Sequence, residues 1–434
     1  MQREGCMVKY VLKCVECGKE YVDDSFRLRC DEDHGPALLR TSYRSKEFTV
    51  KDELPGMFKF TDYLPVRRVI DCMGAPITYK SEKLGKHLGL ENLYVIFNGY
   101  WPEKGAFMET ASFKELEAPS VLARVPEDCG KTIVVASAGN TGRAFARVCS
   151  ENRLPLVLVI PQQGADQIWS TTPFSDSVKL ILAGGNSDYF DAITLAGKLV
   201  GLNGFFPEGG VFNVARRDGM GTTVLDFAAT VGKVPKHYFQ AIGSGTGGIA
   251  AWEAYLRLAE EGRYGNGCMT LHLSQNHPFA PITESWAHRL PEIPSCDPDS
   301  DKKKINETCA KVLTNRKPPY ALRGGVYDVL CASSGHTYAV TNTEAYRAMS
   351  LFERIEGIDI CHAAGVAVGS LIQAVEKGLV SSNDLIALNI TGGGERKVRR
   401  DYDLHYLEPL ACFSDGEING KEVEQKLEAL LESV

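Results

Sequence analysis

The sequence predicts an α/β protein built on parallel sheets and divided into more than one domain. Three observations carry that reading. The chain has 434 residues, more than one hydrophobic core usually serves, so two or three domains are expected. Short β-rich runs alternate with helical stretches along most of its length, the pattern of parallel strands covered on both faces. Hydrophobic residues make up 44% and charged residues 24%, the balance of a well-packed globular protein.

Taken in order, residues 1–45 stand apart. Cys14-Val15-Glu16-Cys17 is followed by alternating apolar positions and then by Cys30 and His34. Beyond residue 70 come the expected strands Thr132–Ala136, Leu156–Ile160, Val178–Leu182, Tyr238–Ile242, Met269–Ser274 and Leu385–Thr391, with helical patterns such as Thr141–Glu151 and Gly248–Glu261 between most of them. Residues 290–325 are polar and carry Pro291, Pro294, Pro298 and the charged run Asp299–Lys304, which reads as a loop-rich insertion. In Glu417–Val434, Val423, Leu427, Leu430 and Leu431 recur at helical spacing, as in a docked surface helix.

The net charge of −7 provides no basic field for nucleic acid, so an anionic substrate must be held by local cations or backbone amides. Thirteen scattered cysteines read as thiols of a reducing cytosol rather than a disulfide scaffold. Neither a signal-peptide core nor a membrane-spanning run is visible. A cytoplasmic protein without nucleic-acid or membrane partners is expected, as a homo-oligomer.

Four segments carry chemistry. In Ser112-Phe113-Lys114 a small polar stretch opens a helix and places a lysine in its first turn. The positive end of the helix dipole there favours the neutral amine that Schiff-base formation requires; the alternative is one more solvated lysine. In Ser137-Ala138-Gly139-Asn140-Thr141-Gly142 a β-branched strand runs into a small polar turn that presents amides and hydroxyls to an anion such as a carboxylate. A plain capped strand–helix connection is the other reading. Gly243-Ser244-Gly245-Thr246-Gly247-Gly248 follows a strand and opens an Ala-rich helix, a cradle for phosphate. It also matches the dinucleotide fingerprint, but the next strand ends in Ser274-Gln275 instead of an acidic ribose ligand, so a single phosphate fits better. Last, Thr391 precedes Gly392-Gly393-Gly394, a hydroxyl at a strand end able to meet a ring nitrogen, or an ordinary turn.

In order and spacing these four segments resemble the fold-type-II pyridoxal-phosphate enzymes, the threonine synthases, cysteine synthases and their relatives, over roughly residues 50–400. The resemblance implies two parallel-sheet α/β domains with pyridoxal phosphate (PLP) between them: a larger one from 46–109 and 216–434, and a smaller one from 110–215. It also implies that Lys114 carries the cofactor as a Schiff base, Asn140 holds the ring hydroxyl, Gly243–Gly248 bind the phosphate, and Thr391 receives the pyridine nitrogen. A neutral threonine there does not force full ring protonation. The first 45 residues are similar to the zinc ribbon preceding many threonine synthases. Cys14, Cys17, Cys30 and His34 would supply a Cys₃His zinc set, with a metal-free ribbon as the alternative, since the second half is spaced C-x₃-H instead of C-x₂-C.

The lysine segment departs from the threonine-synthase pattern Asn-Pro-Thr-Gly-Ser-Phe-Lys-Asp-Arg-Gly, and in this it is similar to the cysteate synthases, which make L-cysteate for coenzyme M biosynthesis. Trp252 and Arg143 accord with that likeness. The implied reaction is β-replacement of the phosphate of O-phospho-L-serine by sulfite, with Lys114 taking the α-proton and later returning it. Ser137, Ala138 and Thr141 are candidates for the substrate carboxylate. Arg143, Arg216, Arg217 and Lys104 are candidates for the remaining anions, each otherwise a surface cation. The alternatives are a divergent threonine synthase acting on O-phosphohomoserine, an O-phosphoserine sulfhydrylase, and a silent PLP-binding protein.

Overall fold

Residues 8–432 are described by the computed structural model, apart from 138, 186, 295, 296 and 421. Two sheets organise them. The larger has the strand order His336–Val340, Thr270–Asn276, His237–Ala241, Ile386–Ile390, Leu93–Phe97, Ile77–Lys80. All neighbours are parallel except the last pair. The smaller is parallel throughout, in the order Phe205–Pro207, Thr132–Ala136, Leu156–Pro161, Val178–Ala183, Pro409–Phe413.

The central strands of both sheets are buried on both faces, which is why they read as continuous apolar runs. Successive residues point to opposite sides. Tyr238 packs with Val224, Leu225 and Ile249, from helices Val214–Val231 and Thr246–Glu261. Its neighbour Phe239 packs with Ala345, Ala348 and Val366, from helices Asn342–Glu356 and His362–Glu376. In the smaller sheet Ile133, Val135, Leu156 and Leu158 face Phe145 and Val148 of helix Asn140–Glu151. Val134, Val157 and Val159 face Leu195 and Leu199 of helix Tyr189–Gly201, together with Leu427.

The structure corrects two readings. Strand Pro409–Phe413 pairs in parallel with Val178–Ala183, and Ile418, Val423 and Leu427 join that side's core. Residues 216–434 therefore do not all run with the larger sheet. Within 290–325, Pro298–Glu307 is a helix. Its polar composition hides it, although Asp297 caps it by accepting from the Ser300 amide at 3.1 Å and Pro298 takes the first helical position.

The N-terminal segment is a three-stranded antiparallel ribbon, Glu20–Tyr21, Tyr10–Cys14 and Leu39–Tyr43. Tyr10, Leu12, Leu39 and Tyr43 are buried in the larger core. A buried ion pair fastens the ribbon, Arg124 to Asp23 through two bonds of 2.9 and 2.6 Å, and a second pair behind it, Arg257 to Asp218 at 2.5 Å, receives its hydroxyls. Thr41 and Tyr43 donate to Asp218. Removing one partner from such a pair typically costs about 3–5 kcal/mol.

Candidate active site

Open α/β sheets bind ligands beyond the carboxyl ends of their strands, and three of the four segments lie there. Strands His237–Ala241 and Ile386–Ile390 are parallel neighbours, so Gly243–Gly248 and Thr391–Gly394 leave the larger sheet at one edge. The smaller sheet's strand Thr132–Ala136 runs into Ser137–Gly142.

The lysine segment is hydrogen-bonded to the Thr391 loop. The Phe113 amide donates to the Thr391 carbonyl at 3.1 Å and the Gly393 amide to the Ala111 carbonyl at 3.2 Å. Ala111 has a φ of 52°, which turns the chain into this pairing; for a non-glycine residue that conformation is uncommon and costs of order 1–3 kcal/mol. The approach needs glycine at 392, because a Cβ there would lie 2.8 Å from the Ala111 carbonyl oxygen. Ser112 caps the short 3₁₀ turn Phe113–Leu116, which carries Lys114 and leads into helix Glu117–Arg124.

Lys114 is partly buried, and Nζ lies 2.5 Å from Glu117 Oε1. Glu117 is completely buried. Its other oxygen meets Arg216 Nη2 at 3.0 Å and accepts from Thr141 Oγ1 at 3.4 Å. Arg216 is held in turn by Glu208 at 2.7 Å. Desolvation pushes the Lys114 amine below its usual range; Glu117 opposes that and Arg216 adds to it. Glu117 and Glu208 were not foreseen from the sequence. The only available sign was a glutamate three residues after the lysine, one helical turn on.

Asn140 opens helix Asn140–Glu151, and its Oδ1 accepts from Arg143 Nη2 at 2.9 Å. Arg143 is buried against the Trp169 ring, 4.2 Å from its centroid. Among the described residues no carboxylate pairs with it within 4 Å, and its Nε has no hydrogen-bond partner. Desolvation lowers its pKa to about 10. Ser137 Oγ accepts from the amides of Gly139 and Gly142, at 3.1 and 2.8 Å, which fixes the hydroxyl at the start of the helix. Ala138 lies outside the described residues. Arg217 points away from its neighbour Arg216: it is fully buried, with Nε 2.9 Å from Glu253, and it also donates to the carbonyls of Val211 and Leu39. Lys104 is exposed over the rings of Tyr79 and Trp101. Neither Arg217 nor Lys104 joins the Lys114 cluster.

The glycine cradle is closely built. Gly245 has a φ of 86°, and a Cβ there would lie 2.2 Å from Val326 Cγ2. Helix Thr246–Glu261 begins at this point, with Ser244 and Thr246 hydroxyls 2.8 Å apart at its N-terminus. Thr391 is buried, and among the described residues none hydrogen-bonds its hydroxyl. An anion cradle, a lysine disposed toward its neutral form, an amide and an unengaged hydroxyl form a donor set that fits pyridoxal phosphate.

A second centre lies in the ribbon. The ligand atoms of Cys14, Cys17, Cys30 and His34 all lie within 4.8 Å of one another. The Cys17 and Cys30 sulfurs are 3.7 Å apart and His34 Nε2 is 3.3 Å from Cys30 Sγ. Tetrahedral zinc with bonds of about 2.3 Å would separate two sulfurs by about 3.8 Å. His34 Nδ1 sits 2.7 Å from the Gly35 carbonyl, the outer partner that orients a metal-binding imidazole.

Residues 77–392 match the pyridoxal-phosphate dependent enzyme family. The chain is 49% identical over 414 residues to the cysteate synthase of Methanosarcina mazei, covering 95% of this chain and 99% of that one. It is 48% identical over 420 residues to the cysteate synthase of Methanocella paludicola, covering 96% of each. Among solved structures, the fold is shared with threonine deaminase isoform 2 of Solanum lycopersicum, at a TM-score of 0.56 and 17% identity over 85% of this chain and 93% of that one. It is shared also with a pyridoxal 5'-phosphate-dependent aspartate racemase, at a TM-score of 0.54 and 14% identity over 73% and 90%. Among the described residues no helix is long and apolar enough to cross a membrane. The chain belongs to the pyridoxal-phosphate-dependent enzymes and, within them, to the family of the cysteate synthases.

Proposed function

We propose that this protein replaces the phosphate of O-phospho-L-serine with sulfite, giving L-cysteate and phosphate for coenzyme M biosynthesis, as a cytoplasmic homo-oligomer. The observation that carries the reading is the 47–49% identity to cysteate synthases over nearly the whole of both chains. The altered flanks of Lys114 support it. Bound pyridoxal phosphate supplies an electron sink for the charge that develops at Cα. Lys114 holds the cofactor, takes the α-proton and returns it once sulfite has added to Cβ. The cradle Gly243–Gly248, with Ser244 and Thr246, takes the cofactor phosphate. Asn140 would hold the ring hydroxyl and Thr391 would receive the ring nitrogen. Ser137, the Ala138 amide and Thr141 are the candidates for the substrate carboxylate. Arg143 is the strongest candidate for a substrate anion, because a buried guanidinium without a carboxylate partner is costly until an anion joins it. Zinc at Cys14, Cys17, Cys30 and His34 would be structural, since four protein ligands leave no open position.

Incubation with phosphoserine and sulfite tests the reading. Cysteate and phosphate are expected in equal amounts, both dependent on sulfite. Phosphate release without cysteate would reject it.

A further inference from the structure

The threonine-synthase pattern has glycine three residues after the lysine. This chain has Glu117 there, completely buried and 2.5 Å from Lys114 Nζ. A buried carboxylate at a position where the related pattern has glycine needs an explanation, because burying it without partners is expensive. Its partners come from distant parts of the chain. Arg216 from helix Val214–Val231 meets Oε2 at 3.0 Å, and Glu208 anchors the other side of the guanidinium at 2.7 Å. Thr141, from the helix that Asn140 opens, donates to the same carboxylate. Two helices thus converge to hold one oxygen of Glu117, with Glu208 anchoring Arg216 behind it, and leave the other oxygen on the lysine.

We propose that Glu117, held in place by Arg216, is the positioning residue that keeps the α-proton on Lys114 during the reaction. The inference rests on the function proposed above, with Lys114 as the proton carrier. In the forward step the Lys114 amine takes the proton from Cα, and the C–H electron pair stays on carbon. The new ammonium lies against Glu117 Oε1, which holds it on the same face. After sulfite has added to Cβ the proton returns from Nζ to Cα, and the amine is regenerated. Glu117 neither gains nor loses a proton over the cycle. The arrangement suits a reaction in which the lysine must retain its proton while one anion leaves and another enters. Without the carboxylate, an ammonium beside Arg216 would pass its proton to solvent or to the departing phosphate.

The charged groups around Lys114 Nζ are Glu117, Arg216 and Glu208, and Tyr189 lies close to Arg216. Two of them give opposite signs, which makes the proposal testable. In the cofactor-free full-length chain, Lys114 is labelled with acetic anhydride across the pH range and quantified by peptide mapping. The labelling midpoint reports its amine. Glu117→Gln is expected to lower the midpoint by about one pH unit or more, and Arg216→Met to raise it. In the loaded enzyme Glu117→Gln should lower kcat roughly 10- to 100-fold with KM for phosphoserine changed less than about threefold. It should also displace the limb of the pH profile, and Glu117→Asp should recover part of kcat. Midpoints unmoved in both variants would overturn the pairing. A moved midpoint with unchanged kcat and pH profile would overturn its role in the reaction. The labelling needs no substrate, so its outcome is independent of whether cysteate is the product.

Discussion

Gly219→Ala places a methyl group against the turn that carries the lysine. Gly219 lies on helix Val214–Val231, and a Cβ there would be 2.1 Å from the Leu116 carbonyl oxygen. Carbon and oxygen rest at about 3.3 Å or more, so helix and turn must separate by roughly 1.2 Å. Neither contact atom is the end of a flexible side chain, and Ser120 Cβ at 3.0 Å blocks a sideways shift. Helix propensity favours alanine by about 1 kcal/mol, but overpacking of this kind costs typically 1–3 kcal/mol. The net expectation is a modest loss of stability. The larger effect falls on the reaction, because a misplacement of 1 Å in a reacting group is worth on the order of 100-fold in rate. The assay is kcat for cysteate formation with saturating phosphoserine and sulfite, alongside a thermal melt. Gly197→Ala is the control, since its Cβ meets nothing within 4 Å; it should be neutral or stabilising by up to about 1 kcal/mol. A Gly219→Ala enzyme with kcat within threefold of the parent would refute the claim that this packing fixes Lys114.

Lys114→Ala should abolish the visible absorbance of bound cofactor and all turnover; borohydride reduction and peptide mapping check it, and labelling of another lysine would reject the assignment. Metal analysis of chelator-free protein should find about one zinc per chain, and a metal-free protein that is folded and fully active would reject the ribbon site. Buried His272 donates to or accepts from His237 at 2.9 Å and Tyr338 at 2.6 Å, and desolvation lowers its pKa to about 2. The folded state therefore resists protonation while the unfolded chain binds a proton near pH 6.5. Stability from this residue is present above that pH and is lost as pH falls below it, by at most about 1.4 kcal/mol per unit. Melting temperatures of His272→Gln should fall less steeply than the parent's between pH 6.5 and 5, and parallel curves would contradict the reasoning.

The parts legible in the sequence were local. Thr132–Ala136 was read with its observed ends, because a β-branched run buried on both faces announces itself in composition. Three of the four candidate segments stand out as strand-end loops rich in glycine and hydroxyls, and the fourth as a serine that opens the turn carrying Lys114. What escaped depends on contacts between distant residues. Arg216 and Arg217 are adjacent and chemically alike, yet one faces Glu117 and the other Glu253; only the helix packing decides which points to the cleft. Strand Pro409–Phe413 crosses to a sheet whose neighbouring strand lies more than two hundred residues earlier. Helix Pro298–Glu307 has no buried residue, so the pattern of its first turn, Asp297-Pro298 followed by Asp299 and Asp301, is the signal it offers.

The central claim concerns the reaction at Lys114, and one competition tests it most directly: kcat/KM for phosphoserine with sulfite against kcat/KM for phosphohomoserine with water, in one preparation. One extra methylene changes discrimination by about 1–3 kcal/mol, and the second substrate also requires proton removal from Cβ. The account predicts cysteate as the dominant product, with little or no threonine. Threonine formed at the higher kcat/KM would contradict it.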